Sequence, residues 1–351
     1  MNDTPAPPSA DSPSADPPSQ ATPEPPRREG GLLAWVRAIG FAVVVALVLR
    51  LFAFEAYRIP STSMEDTLLA GDFLFVSKLA YGARLPRLLG GPEARLPGLS
   101  SLRRGDIVVF NHPPEPGPVE RRTPFIKRVV GLPGDTLQIV GKRVVVNGDT
   151  LDAPPLGRHL WRVRYTQPDG VSAETLAALG ARVRGGHSTE RLVEATADEA
   201  QRVAAVDGVA HVERFVRPPQ DGSAHFPAAP AYSLDDYGPI VVPRRGLTVR
   251  LDDTTWLLYR EAIAREAAAA GRPAPRSTAE GFVVDGELAE RYTFRDDHLF
   301  VMGDNRDDSE DSRTWGFVPR TYVIGRASLI YFSWDDATGR ARWHRAMRWV
   351  E

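Results

Sequence analysis

Pro124-Phe-Ile-Lys-Arg-Val-Val-Gly-Leu-Pro-Gly-Asp135 joins a run of β-branched and aromatic residues to a Pro-Gly-Asp turn, which predicts a short strand ending in a tight reversal. Side chains alternate along a strand, so Phe125, Lys127 and Val129 share one face while Ile126 and Arg128 share the other. The same pattern recurs nearby in Asp72-Phe-Leu-Phe-Val76, Asp106-Ile-Val-Val-Phe110, Asp135-Thr-Leu-Gln-Ile-Val140 and Arg143-Val-Val-Val146, separated by Gly-Asp and Asn147-Gly148 turns. This spacing predicts a mostly β chain built on a coiled antiparallel sheet or small barrel. Arg84 to Arg104, rich in Pro, Gly and Leu, is expected to be an extended loop.

Further along, the pattern changes. Strands are expected over Trp161–Tyr165, Arg191–Ala195 and Val209–Val216, with helices over Ser172–Leu179 and Ala197–Val206. These elements define an inserted α+β lobe over residues 156–231, dividing a β domain into residues 57–155 and 232–351. The β pattern resumes at Ile240–Val242 and Leu247–Leu251. A helix rich in Ala, Glu and Arg follows over Thr254–Ala270, then a Phe282–Leu288 hairpin with an Asp285-Gly286 turn. His298–Met302 and Ala327–Phe332 read as closing strands. The segment from Arg340 to Glu351, with Trp343, Trp349 and four arginines, is expected to be a final strand, with contact to lipid head groups as the rival reading.

Upstream, residues 1–30 are dominated by Pro, Ser, Ala and Asp, a composition that buries too little apolar surface to offset ordering and predicts a disordered tail. The 23 residues from Leu32 to Phe54 are apolar apart from Arg37 and Arg50. As a helix they would reach about 34 Å, enough to span a bilayer, and both arginines can extend toward the head groups. No small-x-small cleavage site follows them, and Phe52, Phe54 and Tyr57 are bulky, so a single-pass transmembrane anchor over residues 31–56 is favoured over a removed signal peptide. Arg27, Arg28 and Arg37 on one flank against Arg50 and Arg58 on the other place the N-terminus in the cytoplasm and the bulk of the chain on the outer face of the cytoplasmic membrane.

The 351 residues, 42% hydrophobic and 25% charged, are enough for a sizeable core. A formal net charge of -2 gives no general nucleic-acid signal. With no cysteine, disulfides, thiolate catalysis and thiolate zinc sites are excluded. The seven histidines are scattered without metal-ligand spacing, so no metal is expected.

Two residues carry candidate chemistry. Ser63 lies in Arg58-Ile-Pro-Ser-Thr-Ser-Met-Glu-Asp-Thr-Leu-Leu-Ala-Gly-Asp72, close behind the apolar span and so within about 30 Å of the bilayer even if the chain is extended. A serine hydroxyl needs a base to take its proton and donors to hold the oxyanion that forms. Lys127 shares its strand face with apolar residues, an arrangement that strips water from an ammonium. Lowering a lysine pKa from roughly 10.4 to near neutrality costs on the order of 4 kcal/mol and leaves a neutral amine able to accept the Ser63 proton. Most strand lysines have only a surface role, and these residues alone leave that alternative open.

Three stretches in order behind one apolar span resemble the bacterial type I signal peptidases. Pro60-Ser-Thr-Ser-Met64 with Thr67-Leu-Leu-Ala-Gly-Asp72 is similar to that family's nucleophile segment, and Ile126-Lys-Arg-Val-Val-Gly-Leu-Pro-Gly-Asp135 to its general-base segment. Gly303-Asp-Asn-Arg-Asp-Asp-Ser-Glu-Asp-Ser-Arg-Thr-Trp-Gly-Phe-Val-Pro319 is similar to its late Gly-Asp-Asn-Arg segment. The resemblance covers roughly residues 59–152 and 232–334 and says little about the inserted lobe.

It implies a signal-peptidase-type catalytic β domain and a membrane-anchored serine endopeptidase that removes signal peptides after small-x-small motifs. Ser63 matches the nucleophile and Lys127 the general base. Ser61 and the Ser63 N–H match the oxyanion site, and Ser309 the serine that hydrogen-bonds and orients the lysine amine. Ile59 and Ile126, with Tyr57 and Leu68 nearby, match the shallow apolar substrate pockets. Asp304, Arg306, Asp311 and Arg313 match a charged supporting frame. The implied partners are secretory preproteins and the lipid bilayer, with no nucleic acid and no cofactor; oligomeric state is not indicated. Thr62 stands where many members carry a smaller residue, and the second span of some members is missing. Two rival readings are a Ser/Lys self-cleaving regulator, which would carry a DNA-binding module before the sheet, and an inactive membrane-tethered peptide-binding protein.

Overall fold

The computed structural model describes residues 32–85, 95–152, 154, 156–218, 225–227 and 232–350. The tail expected over residues 1–30 and the middle of the Arg84–Arg104 loop lie outside them. Two units are distinguished, residues 1–47 and residues 48–351. In the first, helix α1 (Leu32–Val48) is a run of apolar residues. It continues as a π-helical turn over Leu49–Ala53, and Ala34–Ala53, with mean hydropathy 2.2, is long and apolar enough to cross a membrane.

The helix expected over Leu32–Phe54 stops at Ala53, so the last residues of the 31–56 segment are not helical. Phe54–Arg58 forms strand β1 instead, paired antiparallel with β2 (Asp72–Ser77) from Phe54 opposite Ser77 to Arg58 opposite Phe73. Cross-strand pairing with Asp72-Phe-Leu-Phe-Val76 decides these residues against continuing the helix, because a strand satisfies their backbone groups in the sheet.

The main sheet also contains β3 (Ile107–Asn111), β4 (Pro124–Gly131), β5 (His298–Met302) and β6 (Val323–Asp335). Its order is β1-β2-β6-β3-β4-β5, closed by Val318–Pro319. The pairs along this path are antiparallel, and β6 lies between β2 and β3 although it is the last of the six in sequence. One face packs Val108, Phe110, Val129 and Val301 with Trp315 and Tyr322; the other packs Ile59, Met64, Leu68, Leu74 and Ile107 with Ile330. The strands expected around residues 135–146 form a second sheet with Tyr237–Val241. It shares a core with the helix Asp253–Ala269, whose start is capped by Asp252 and Thr255.

Residues 159–214 form a four-stranded sheet with two helices around a separate cluster that includes Val163, Leu176, Val193 and Val203. The strand Arg182–His187 was not expected, since its Gly185-Gly186 pair weakens the β signal. The segment expected to be a plain final strand gives two short strands on β6, Arg340–Ala341 and Arg348–Trp349, with a 3-10 turn between them.

That 3-10 turn holds Arg345, whose guanidinium donates to Asp72 Oδ2 at 2.6 Å and to the Thr67 carbonyl at 3.0 Å. Both charged side chains are almost fully buried. Removing one partner strands the other without water, so Asp72→Ala should lower unfolding free energy by about 3–5 kcal/mol. A denaturant titration of the purified chain measures this; an unchanged midpoint refutes it.

Candidate functional site

Strand β1 leads into Ile59, whose N–H donates to the Asp72 carbonyl at 2.8 Å and whose carbonyl accepts from Gly71 at 2.9 Å. These bonds pinch off Pro60 to Ala70 as a turn. Gly71 has φ +91°, and a side chain there would collide with the Trp334 carbonyl, so glycine is required. Within the turn Glu65 N–H bonds the Thr62 carbonyl at 2.9 Å and Leu68 N–H the Met64 carbonyl at 2.7 Å. Met64 and Leu68 are buried in the core beneath, and Ser63, between Thr62 and Met64, is itself buried, at 8% exposure.

Lys127 lies opposite Val108 in the β3–β4 pairing, on the face predicted from the sequence. Its Nζ is 2.7 Å from Ser63 Oγ and 3.0 Å from the Ile126 carbonyl, and 5.6 Å from the centre of the Phe125 ring. The residue is 3% exposed. Burial pushes the Lys127 amine down to about 8, against the opposing pull of Asp311, Glu310 and Asp304. Loss of hydration therefore outweighs three nearby carboxylates. An amine partly neutral near pH 8 and within hydrogen-bond reach of a hydroxyl has the geometry and the basicity to take its proton.

The other expected residues gather around this pair. Ser61 Oγ is 3.3 Å from Ser63 Oγ. Ser309 lies against Gly303, which in turn lies against the Ser63 carbonyl, but its Oγ is buried without a hydrogen-bond partner. The bond expected from Ser309 to the lysine amine is therefore not made; the amine contacts Ser63 and the Ile126 carbonyl.

Asp304 accepts a two-pronged bond from Arg128, Nε to Oδ1 and Nη2 to Oδ2, both 2.8 Å, and a 2.7 Å bond from the Thr67 hydroxyl. Asp311 pairs with Arg313 at 2.8 Å and accepts from Gly303 N–H at 3.0 Å. Arg306 departs from the expected frame. It pairs with no carboxylate among the described residues, its Nε is buried without a partner, and burial lowers its guanidinium to about 10. Its contribution is through the backbone, where its N–H bonds the Arg158 carbonyl at 3.0 Å and its carbonyl accepts from Arg313 at 2.7 Å.

The apolar residues expected to shape a pocket belong to one cluster: Ile59 and Leu68 inside it, Tyr57 and Ile126 packed against it. At 3% and 0% exposure, Ile59 and Leu68 form a floor, leaving Tyr57 and Ile126 as the accessible wall. A cleft of about 790 Å³ opens beside them, lined by Tyr57, Pro124, Asn111 and Ile324. Strand β5 pairs with β4 at Arg128, Val129 and Gly131, so the stretch Pro124–Lys127 has β3 on one side and, among the described residues, no strand on the other. Among the described residues, no group of three or more His, Asp or Glu is placed to hold a metal ion.

Several contacts had no signal in the sequence. Alternation puts Arg128 on the face opposite Lys127, but its partner Asp304 lies 176 positions away. Asn305 N–H holds the Ser63 carbonyl at 3.1 Å, and Thr62 bonds Asp308 at 2.8 Å. Two arginines of the inserted lobe, Arg158 and Arg182, reach the carboxylates directly after Met64.

Comparison with known proteins follows the same lines. The family described as signal peptidase, peptidase S26, matches residues 32–187 and 260–334. A signal peptidase I from Pseudomonas fluorescens is 35% identical over 308 residues, covering 83% of this chain and 69% of that protein. A signal peptidase I from Pseudomonas aeruginosa is 28% identical, with 83% and 69% covered, and one from Leptolyngbya laminosa is 37% identical over 172 residues, 46% of this chain and 72% of that one.

Proposed function

Because the chain belongs to the signal peptidase S26 family and is a serine peptidase that cleaves signal peptides, we propose that its reaction runs on a Ser63/Lys127 dyad. The observation that carries this reading is the 2.7 Å approach of a buried, easily deprotonated amine to a hydroxyl. Neutral Lys127 takes the Ser63 proton as Oγ attacks the scissile carbonyl, giving an acyl-enzyme and, after the amine returns the proton, a free new N-terminus. The same amine then deprotonates the water that releases the signal peptide. The Ser61 hydroxyl and the Ser63 N–H hold the developing oxyanion, worth about 3–4 kcal/mol of barrier per donor. Ser309 sits within the same turn-facing shell, and its rotation to the amine would complete the orientation of Lys127.

The preprotein lies extended along Pro124–Lys127, whose outer edge is unpaired among the described residues, adding a strand to the sheet. Small side chains fit the shallow wall of Tyr57 and Ile126 above Ile59 and Leu68, and larger ones are rejected sterically. The helix preceding β1 serves as a membrane anchor with the N-terminus in the cytoplasm, the catalytic domain (57–155 and 232–351) on the outer face, and residues 156–231 as an insertion. Mass spectrometry of a small-x-small preprotein after incubation with the purified chain tests the activity and identifies the bond cut; an intact preprotein refutes the reading.

The pH dependence tests the base. Protonated Lys127 cannot accept a proton, so kcat/KM should rise close to tenfold per pH unit below about 7 and level off above about 8. A rate independent of pH between 6 and 9 excludes Lys127 as the base.

A further inference from the structure

The turn that carries Ser63 is seated on buried Met64 and Leu68, and other parts of the chain also grip it from outside. Two side chains of the inserted lobe do so. Arg182, at the start of the strand Arg182–His187, donates Nη1 to Glu65 Oε2 and Nη2 to Glu65 Oε1, each at 2.7 Å. Glu65 is two positions after Ser63 and only 6% exposed. Arg158, 4% exposed, brings Nε to 2.6 Å from Asp66 Oδ2, a charge contact whose atoms are not aligned as a hydrogen bond. Asp66 has φ +70°, a left-handed backbone that non-glycine residues adopt at a cost unless something holds them there.

Arg158 is itself tied down at both ends. Its N–H bonds the Asp304 carbonyl at 3.1 Å, its carbonyl accepts from Arg306, and its guanidinium also reaches Glu199 at 3.2 Å. Glu194 of the lobe accepts from Asn305 Nδ2 at 3.2 Å, and Asn305 N–H holds the Ser63 carbonyl. The lobe thus touches the Ser63 turn directly through two ion pairs and indirectly through Asn305. A spacer or a detached shield would need none of these contacts.

We propose that the inserted lobe is a clamp on the nucleophile, with Arg182 and Arg158 as positioning residues that act on Ser63 through Glu65 and Asp66. Arginine suits the task at position 182, because a planar two-pronged pair fixes the direction of the carboxylate as well as its distance. Neither arginine contacts the reacting atoms. Loosening the clamp lets Ser63 Oγ drift from the Lys127 amine and from the bound carbonyl, which lowers turnover while leaving the substrate edge at Pro124–Lys127 intact. This inference rests on the dyad reading above.

The test uses the full chain in detergent and a peptide with one small-x-small site. Glu65→Gln and Arg182→Ala should each lower kcat about tenfold, with KM within about twofold of the parent and the rise in rate still levelling off near pH 8. The double variant should be no slower than either single one, since both remove the same contact. Arg164→Ala, which breaks pairs to Glu190 and Glu213 inside the lobe, should turn over at the parental rate. Arg182 is about half exposed, and a cooperative thermal melt verifies folding; Glu65→Gln, which preserves size, carries the test alone if Arg182→Ala melts early. Parental kcat in both single variants, multiplied losses in the double, or an equal loss in Arg164→Ala overturns the clamp. Ser63→Ala run alongside separates the two readings. If it is inert while Arg182→Ala runs at full speed, only the clamp fails; if it is active, the dyad fails and the clamp with it.

Discussion

Ser63→Ala and Lys127→Ala should each slow cleavage of a small-x-small preprotein by at least about a thousandfold, and the double variant should be no slower than either one. In the proposed dyad the two side chains work as a unit: without the hydroxyl there is nothing to acylate, and without the amine the hydroxyl keeps its proton. The losses should therefore not multiply. Single-turnover mass spectrometry measures both steps, and more than a few per cent of parental activity in either single variant removes the dyad.

The same experiment can exclude misfolding. The amine's pKa is about 8 in the folded chain and roughly 10.4 when unfolded, so at neutral pH the folded chain holds a buried, largely protonated amine, and folding releases its proton only between those two values. For a base with a depressed folded pKa the penalty is complete below about 8 and fades as pH rises toward 10.4. Replacing the lysine by an apolar side chain of similar length removes a cost of roughly 3 kcal/mol at pH 7. Lys127→Met should thus be inert and yet melt no lower than the parent at pH 7.

Gly303→Ala should lower kcat about a hundredfold while barely changing KM. A methyl group on Gly303 would fall 2.5 Å from the Ser63 carbonyl oxygen and 2.5 Å from Ser309 Cβ. Real methyl contacts are not that short, so something must move. Gly303 cannot easily retreat, because its N–H is fixed to Asp311 at 3.0 Å and it directly precedes Asp304, which is pinned by Arg128 and Thr67. The Ser63 turn therefore yields, carrying Oγ away from the amine. A displacement of about 1 Å costs on the order of a hundredfold in rate. Gly185→Ala is the control, since a methyl there meets nothing within 4 Å. Stopped-flow cleavage by the two variants decides the matter, and a parental kcat for Gly303→Ala would mean that the turn is not held from this side.

Much of this architecture was legible locally. Alternation in Pro124–Asp135 placed Lys127 on the face with Phe125 and Val129, and the structure keeps it there. The Asp285-Gly286 hairpin turn and the helix after Asp252 likewise follow from short-range chemistry. What escaped depends on distant partners. Phe54–Arg58 carries too little pattern of its own to separate it from the helix before it, and becomes a strand because β2 pairs with it. Arg182–His187, with adjacent glycines, is a strand because Glu190–Ala195 supplies its hydrogen bonds. The grip of Arg158 and Arg182 on the turn had no sequence signal, since no periodicity links residues so far apart. Ser309 shows the opposite case: resemblance placed it beside the dyad, but not the direction of its hydroxyl.

The position of β6 between β2 and β3 has a consequence for synthesis in the cell. The strand leading from Ser63 and the strand carrying Lys127 belong to one sheet only after Val323–Asp335 slides between their halves. A ribosome that has already extruded both reactive residues still has most of the chain to translate, a delay on the order of ten seconds or more at ordinary bacterial speeds. During that interval the nascent polypeptide is a protease in composition only. Closure of the sheet, and with it the approach of Lys127 to Ser63, waits for that late central strand.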